Sequence, residues 1–256
     1  MARGRLYVTG AAGRLAREVL RTIPGAIPLV RKPSGLQGEI VTDYSTENLR
    51  RILADASAII HLAGSRDFLD EKKAREGNVG LTSRIADAAP GKAKIIFASS
   101  ISVYGKKLAQ IPADENTRTV PDTPYAKTKL EAEAIVARHP DHTILRIGPI
   151  YGPGFEEYYK VLGMLARGKM PLIGKGDNHI PFVHVSDVAS AIKESLIRGN
   201  GIYIIVGECL TQKEIFGVAA RELGVQPPKK QIPVLLAAAF AHFELFRSAR
   251  FGGNPP

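Results

Sequence analysis

Leu6-Tyr7-Val8-Thr9-Gly10-Ala11-Ala12-Gly13-Arg14-Leu15-Ala16 opens the chain. A short apolar run leads into a turn bounded by two glycines, and a helical pattern follows over about 13–22. Gly10 permits a tight turn, Gly13 lets a phosphate approach the backbone, and Ala16 is small enough for close helix–strand packing. Helix N–H groups at such a turn point at a bound anion. The spacing is Gly-x-x-Gly-x-x-Ala in a strand–turn–helix context, the context that a dinucleotide site requires. Gly10, Ala12, Gly13, Arg14 and Leu15 are therefore candidate cofactor contacts.

The same rhythm continues outward. Candidate strands are Leu6–Val8, Ile27–Val30, Glu39–Val41, Ala58–Leu62, Lys94–Ala98 and Thr143–Ile147. Between them run helical patterns near 46–54, 78–89 and 124–138, the last with Thr123 as N-cap and Pro124 in its first turn. Ala58-Ile59-Ile60 and Ile95-Ile96-Phe97 are apolar without alternation, as expected of strands covered on both faces. The pattern predicts an α/β protein with a parallel sheet. After Gly148 the rhythm changes to a proline- and glycine-rich loop, a helix near 156–167, a strand at Phe182–Val185, a helix at 186–197 and a strand at Ile202–Val206. Two helices are expected between Thr211 and Phe251. The expected organisation is a sheet domain over 1–148, to which 182–207 returns, and a small cap from 149–181 and 208–256.

Composition excludes several classes. With 256 residues, 45% hydrophobic and 23% charged, the chain reads as an ordinary globular protein. Its one cysteine, Cys209, leaves no internal disulfide or Cys-rich metal site and fits a cytoplasmic setting. No apolar leader follows Arg3 and Arg5, and the apolar stretch Ile232–Phe243 is too short to span a membrane. No set of ligands has metal-site spacing. The formal net charge is +10, but the basic residues are scattered, so no nucleic-acid partner is expected. A basic surface does attract an anionic cofactor or substrate.

The chemistry is concentrated in two further segments. Ser99-Ser100-Ile101-Ser102-Val103-Tyr104-Gly105 ends a strand, and Tyr125-Ala126-Lys127-Thr128-Lys129 opens a helix; Tyr125 follows Ser100 by 25 positions. Tyr125 and Lys129 are four apart and share a helix face. A free phenol titrates near 10, and a neighbouring ammonium favours the phenolate. Tyr125 can then exchange a proton with a carbonyl or alcohol, while Ser100 holds the same oxygen. At the end of the second strand, where an NAD site usually offers a carboxylate to the ribose 2′-hydroxyl, stand Arg31 and Lys32. A guanidinium suits a 2′-phosphate, so NADP is expected in preference to NAD.

With these segments together, the chain resembles the extended short-chain dehydrogenase/reductases of the NAD-dependent epimerase/dehydratase family. The resemblance implies a Rossmann-type doubly wound parallel sheet with a small, mostly helical substrate-binding cap. It implies a catalytic triad of Ser100, Tyr125 and Lys129. It places Glu39-Ile40 beside the adenine, Leu62-Ala63-Gly64 and Asn78 along the cofactor, and Ile150 by the nicotinamide. Ser65, Ser100, Ser102, Pro149 and Tyr151 fall at substrate positions. A homodimer through the helices near 78–89 and 124–138 is also implied. His61, His184 and Asp187 read as structural, Asp187 as a helix cap or a local hydrogen-bond acceptor.

Departures from the family pattern narrow the expectation. Pro149 stands where nucleotide-sugar enzymes usually carry an asparagine, and Ile180 where they carry an arginine. Ile101-Ser102 replaces the Asp-Glu that elimination of water requires. The expected activity is hydride transfer at a secondary alcohol or ketone of a polar, sugar-like small molecule. A nucleotide-sugar 4-epimerase with retained NAD is the alternative. A non-catalytic NADP sensor is a third reading, against which the intact Tyr125 and Lys129 stand.

Overall fold

The computed structural model describes residues 4–65, 70–237 and 239. Seven parallel strands form one sheet: β1 (Arg5–Thr9), β2 (Ile27–Val30), β3 (Ile40–Val41), β4 (Ala56–His61), β5 (Lys94–Ser100), β6 (His142–Ile147) and β7 (Gly201–Ile205). Their order is β7-β6-β5-β4-β1-β2-β3. The chain moves outward from β1 to β3, crosses back to β4, and then moves outward the other way. The switch point therefore lies between β1 and β4, and ligands of open α/β sheets bind outside the strand carboxyl ends at such a point. This is the expected Rossmann-type architecture.

Alternation along the central strands builds two faces. Ile59 packs with Leu49 and Leu53 of α2 (Thr46–Leu53) and with Leu81 and Ile85 of α4 (Leu81–Ala88). Its neighbour Ile60 packs on the other side with Val19 of α1 (Arg14–Thr22) and with Val188 and Ile192 of α7 (Val185–Glu194). Both isoleucines are 0% exposed, and each such burial contributes about 1.5–3 kcal/mol before entropy is counted. On the first face α5 (Pro124–Val136) lays Ala132 and Val136 against Ile95, Phe97 and Ile144. Its start is fixed as expected: Pro124 opens the helix and Thr123 Oγ1 accepts from Ala126 N–H at 3.1 Å.

Two local expectations are corrected. The helix expected at 78–89 starts earlier and is irregular: α3 (Glu71–Arg75) and a π-helical turn at Glu76–Gly80 precede α4. The turn carries Asn78 inward and Gly77 against Ser65, where a Cβ would lie 2.6 Å from the Ser65 Cβ. In α7 the N-cap is His184, whose Nδ1 accepts from Ser186 N–H, whereas Asp187 lies inside the first turn and meets its other expectation, that of a local acceptor, taking the Ser186 hydroxyl at 3.4 Å. A carboxylate there favours the positive end of the helix without capping it.

The chain divides into two compact units. One holds residues up to Ile150 together with Val183–Ile205; the other holds Tyr151–Phe182 and the chain from Val206 onward. The second unit contains α6 (Glu157–Ala166) and α8 (Gln212–Glu222). Two short strand pairs join them, Leu172–Ile173 with Gln231–Ile232 and His179–Pro181 with Cys209–Thr211. Thr211 and Glu214 close a capping box at the start of α8. A helical turn begins again at 234. Most of the second helix expected before Phe251, including Phe240, Phe243 and Phe246, lies outside the described residues. Among the described residues no helix is long and apolar enough to cross a membrane.

Candidate active site

The glycine turn has the geometry its sequence calls for. Gly10 has φ +68, and a Cβ on it would lie 2.7 Å from the backbone N and Cα of Ala63. The loops after β1 and β4 thus touch at the switch point, and only glycine fits there. Gly13 N–H donates to Gly10 O at 2.9 Å, and Gly13 is the N-cap of α1 with no side-chain cap. Ala12 and Gly13 are exposed, Arg14 and Leu15 half-buried, and Ala16 is packed in the core. Gly13 has no side chain with which to cap the first N–H groups of α1, and the exposed turn beside them suits a pyrophosphate. The residues fit a dinucleotide at this end.

The loops after β2 and β3 form the neighbouring wall. Arg31 and Lys32 are exposed at the end of β2. The Arg31 guanidinium lies over the ring of Tyr44, its Cζ 5.7 Å from the ring centroid. Ile40 is half-buried beside the core under α2 and α4. Glu39, placed beside the adenine by resemblance, has its carboxylate wrapped by its own loop. It accepts from Ser34 N–H at 2.9 Å, Ser34 Oγ at 2.5 Å, Gly35 N–H at 3.3 Å and Leu36 N–H at 3.1 Å. These donors hold the Glu39 carboxyl below its usual range, first of all the Ser34 hydroxyl. The side chain shapes the 34–36 loop, leaving the Glu39-Ile40 backbone as what this pair can offer an adenine.

The catalytic segments meet at the carboxyl end of β5. Ser100 ends that strand, and its Oγ accepts from Ser102 N–H at 3.2 Å. With that acceptor position filled, the Ser100 hydroxyl proton is left to donate to a substrate oxygen. Ser102 Oγ is buried and has no hydrogen-bond partner among the described residues, so a polar group from a substrate would satisfy it. α5 runs antiparallel to β5, since Lys129 Nζ donates to Ala98 O at 2.5 Å while Ala132 and Val136 pack on Ile95 and Phe97. Tyr125, one turn before Lys129, therefore lies toward the strand end that carries Ser100.

Lys129 is 5% exposed, and its Nζ sits 4.1 Å from the centroid of the Phe97 ring. Burial pulls its ammonium down to about 7, against the opposing pull of the Glu133 carboxylate. Glu133, one turn further along, pairs with Arg146 at 2.9 Å, each side chain 5% exposed. Ser99 Oγ donates to the same carboxylate at 2.5 Å, and Arg146 Nη1 donates to Tyr104 OH at 2.8 Å. Strand β5, strand β6 and helix α5 are thus tied by one buried polar network behind the triad.

His61 and Asn78 hold the neighbouring loop. Thr82 Oγ1 donates to Asn78 O at 2.5 Å, so it must accept from His61 Nε2–H at 2.9 Å. His61 Nδ1 is then the acceptor of the Thr9 hydroxyl at 2.8 Å. Burial pulls the His61 pKa down to about 3, with Lys129 adding to the effect. This histidine is neutral, fully partnered and structural. Asn78 exchanges two hydrogen bonds with the Ser65 backbone, at 2.9 and 3.0 Å, and donates to Thr128 Oγ1 at 3.0 Å. It fixes the Leu62–Ser65 loop against α5. Pro149 O accepts from Val183 N–H at 3.0 Å, with Ile150 next to it in the core behind α1 and α7. Tyr151 belongs to the second unit, where its ring meets Phe182 edge-on at 6.0 Å.

Comparison with known proteins settles the lineage. The model of the NAD dependent epimerase/dehydratase family matches residues 6–205. The chain belongs to this family. Family relatives include a UDP-glucose 4-epimerase of Azospirillum brasilense, 30% identical over 285 residues that cover 88% of this chain and 79% of the relative. A ceramide reductase of Caulobacter vibrioides is 27% identical, over 91% of this chain and 74% of the relative. Among solved structures, MoeE5 in complex with UDP-glucose and NAD has a TM-score of 0.74 at 27% identity, covering 90% of this chain and 85% of its own. The UDP-N-acetylglucosamine 4-epimerase from Bacillus cereus has a TM-score of 0.78 at 24% identity, covering 90% and 87%. As a family member the chain is an enzyme of the extended short-chain dehydrogenase/reductase type with a nicotinamide-dinucleotide fold. Among the described residues no group of three His, Cys, Asp or Glu could hold a metal ion. Sequence reasoning missed three residues of this site: Tyr44 beneath the turn, Phe97 beneath the ammonium, and Glu133 beside it. Glu133 had a readable signal, its i+4 spacing from Lys129.

Proposed function

We propose that this enzyme is an NADP-preferring oxidoreductase acting at a secondary alcohol or ketone of a polar, sugar-like small molecule. The observation that carries the reading is the placement of Ser100, Tyr125 and Lys129 around the carboxyl end of β5, two strands along the sheet from β1 and its glycine turn. When bound, the nicotinamide supplies or accepts the hydride. Tyr125 moves the proton to or from the substrate oxygen, and Ser100 donates a hydrogen bond to that oxygen. Lys129 in its ammonium form favours the phenolate of Tyr125. Ser102 Oγ accepts or donates to a second polar group of the substrate. NADP preference is supported by Arg31 and Lys32 at the end of β2, with no carboxylate at that place. The single cysteine supports a cytoplasmic setting, and the resemblance supports a homodimer through α4 and α5.

A second reading is a nucleotide-sugar 4-epimerase with retained NAD. The Azospirillum relative and the MoeE5 complex favour it; Pro149 and Ile180, which replace a polar and a cationic contact, weigh against it. Titration calorimetry of the cofactor-stripped protein separates the two. Tight NADP binding with weak NAD binding is expected. Preference for NAD, or a cofactor that leaves only on unfolding, overturns the reading and puts the epimerase first.

A further inference from the structure

Tyr44 is the one residue other than glycine with a positive φ among the described residues, at 59. For a bulky side chain this is a true outlier, and such strain persists where the surroundings over-determine it, commonly at functional sites. The residue is 2% exposed. Its N–H donates to Thr42 Oγ1 at 3.1 Å, and its hydroxyl donates to Leu29 O at 2.7 Å. The same hydroxyl accepts from Gly10 N–H at 3.4 Å. One face of its ring carries the Arg31 guanidinium. A single strained side chain therefore touches both the glycine turn that opens α1 and the cation at the end of β2.

A core-filling aromatic would not need this. Leucine or phenylalanine on an ordinary extended backbone would serve the packing under β2, and glycine or asparagine would serve the left-handed turn. Tyrosine satisfies neither local rule, yet its hydroxyl and its ring face each have a use. Arg31 makes no hydrogen bond or ion pair with protein groups among the described residues, so its five donors are held near the ring and remain available.

We propose that Tyr44 is a specificity-determining positioning residue. It holds the Arg31 guanidinium against its ring, oriented for the 2′-phosphate of the dinucleotide, while its hydroxyl steadies the Gly10 turn that receives the pyrophosphate. The proposal rests on the NADP reading above and adds the residue that enforces it. The two ends of the adenosine diphosphate are thereby gripped through one ring.

The test measures dissociation constants for NADP and NAD, and for the fragments 2′,5′-ADP and 5′-AMP, on the stripped protein. Arg31→Ala should weaken NADP by about tenfold or more and leave NAD unchanged. Tyr44→Leu should weaken NADP about two- to fivefold more than NAD, the range of an exposed cation–π contact. In the Arg31→Ala background the same change should leave the NADP-to-NAD ratio where it is. Tyr44→Phe keeps the ring and should keep the ratio, while weakening both dinucleotides alike. Should Tyr44→Leu fail to fold, Arg31→Lys probes the contact from the exposed side: it keeps the charge, loses the planar stacking, and should lower the ratio and the 2′,5′-ADP affinity. A full ratio in Arg31→Lys, or equal losses for both cofactors in Tyr44→Leu, overturns the proposal. A wild-type protein without NADP preference, or a ratio indifferent to Arg31→Ala, overturns the cofactor reading itself and the proposal with it. A normal Arg31→Ala loss beside a ratio indifferent to Tyr44 sinks Tyr44 alone.

Discussion

Lys129 is drawn from 10.5 to about 7 by burial. The native state thus binds fewer protons at this site than the unfolded chain between those values. Below pH 7 both states carry the charge and the native state bears the full penalty. From pH 7 to 10.5 the penalty is relieved, so this site makes stability rise with pH in that window. Lys129→Met should abolish turnover and be more stable than wild type at pH 6, by a few kcal/mol, with the difference shrinking toward pH 10. Urea denaturation at pH 6, 8 and 10 checks this; a pH-independent difference would contradict it. Gly10→Ala should lower stability by about 1–3 kcal/mol and abolish dinucleotide binding, because its Cβ meets the Ala63 backbone in a left-handed conformation. Thermal melts with and without cofactor read both effects. The reactive side chains were legible because their types and spacing carry chemistry. Tyr44 and Phe97 were not, since nothing in a sequence marks a tyrosine as left-handed or an aromatic as lying under a cation.

At the scale of elements, α5 is positioned by charge as well as by packing. Glu133 and Arg146 are both buried, and removing one partner leaves the other uncompensated. Glu133→Ala should cost about 3–5 kcal/mol, while Glu133→Met with Arg146→Met should recover much of it. Chemical denaturation of the three proteins decides the matter, and a loss under about 1 kcal/mol would contradict the argument. Strands β4 and β5 could be read from unbroken apolar runs, and α5 from Thr123-Pro124. The π-helical turn at Glu76–Gly80 could not, because one added residue per turn leaves the apolar spacing of α4 nearly unchanged. The capping of α7 by His184 in place of Asp187 was equally hidden. Both side chains can accept a hydrogen bond, and only the backbone angles decide which of them stands at the helix start.

For the molecule as a whole, the alternation of strands and helices was enough to give the parallel sheet, whereas the order β7-β6-β5-β4-β1-β2-β3 was not legible in it, because right-handed crossovers fix the face on which each helix lies and not which strands are neighbours. The short strand pairs of the second unit escaped notice because two- and three-residue strands carry no periodicity. The segment between the two catalytic motifs does more than connect them. From it Glu115 reaches the outermost strand, where its Oε1 accepts from Ile204 N–H at 2.9 Å. A bare strand edge is a template on which another chain can pair, and proteins guard against this by covering it. Glu115→Ala should leave dinucleotide affinity intact and yet raise light scattering on mild heating; unchanged scattering would argue against a guard. The linker that joins serine to tyrosine is thus expected to shield the sheet from self-association as well, so damage to it should surface first as precipitate and only later as lost turnover.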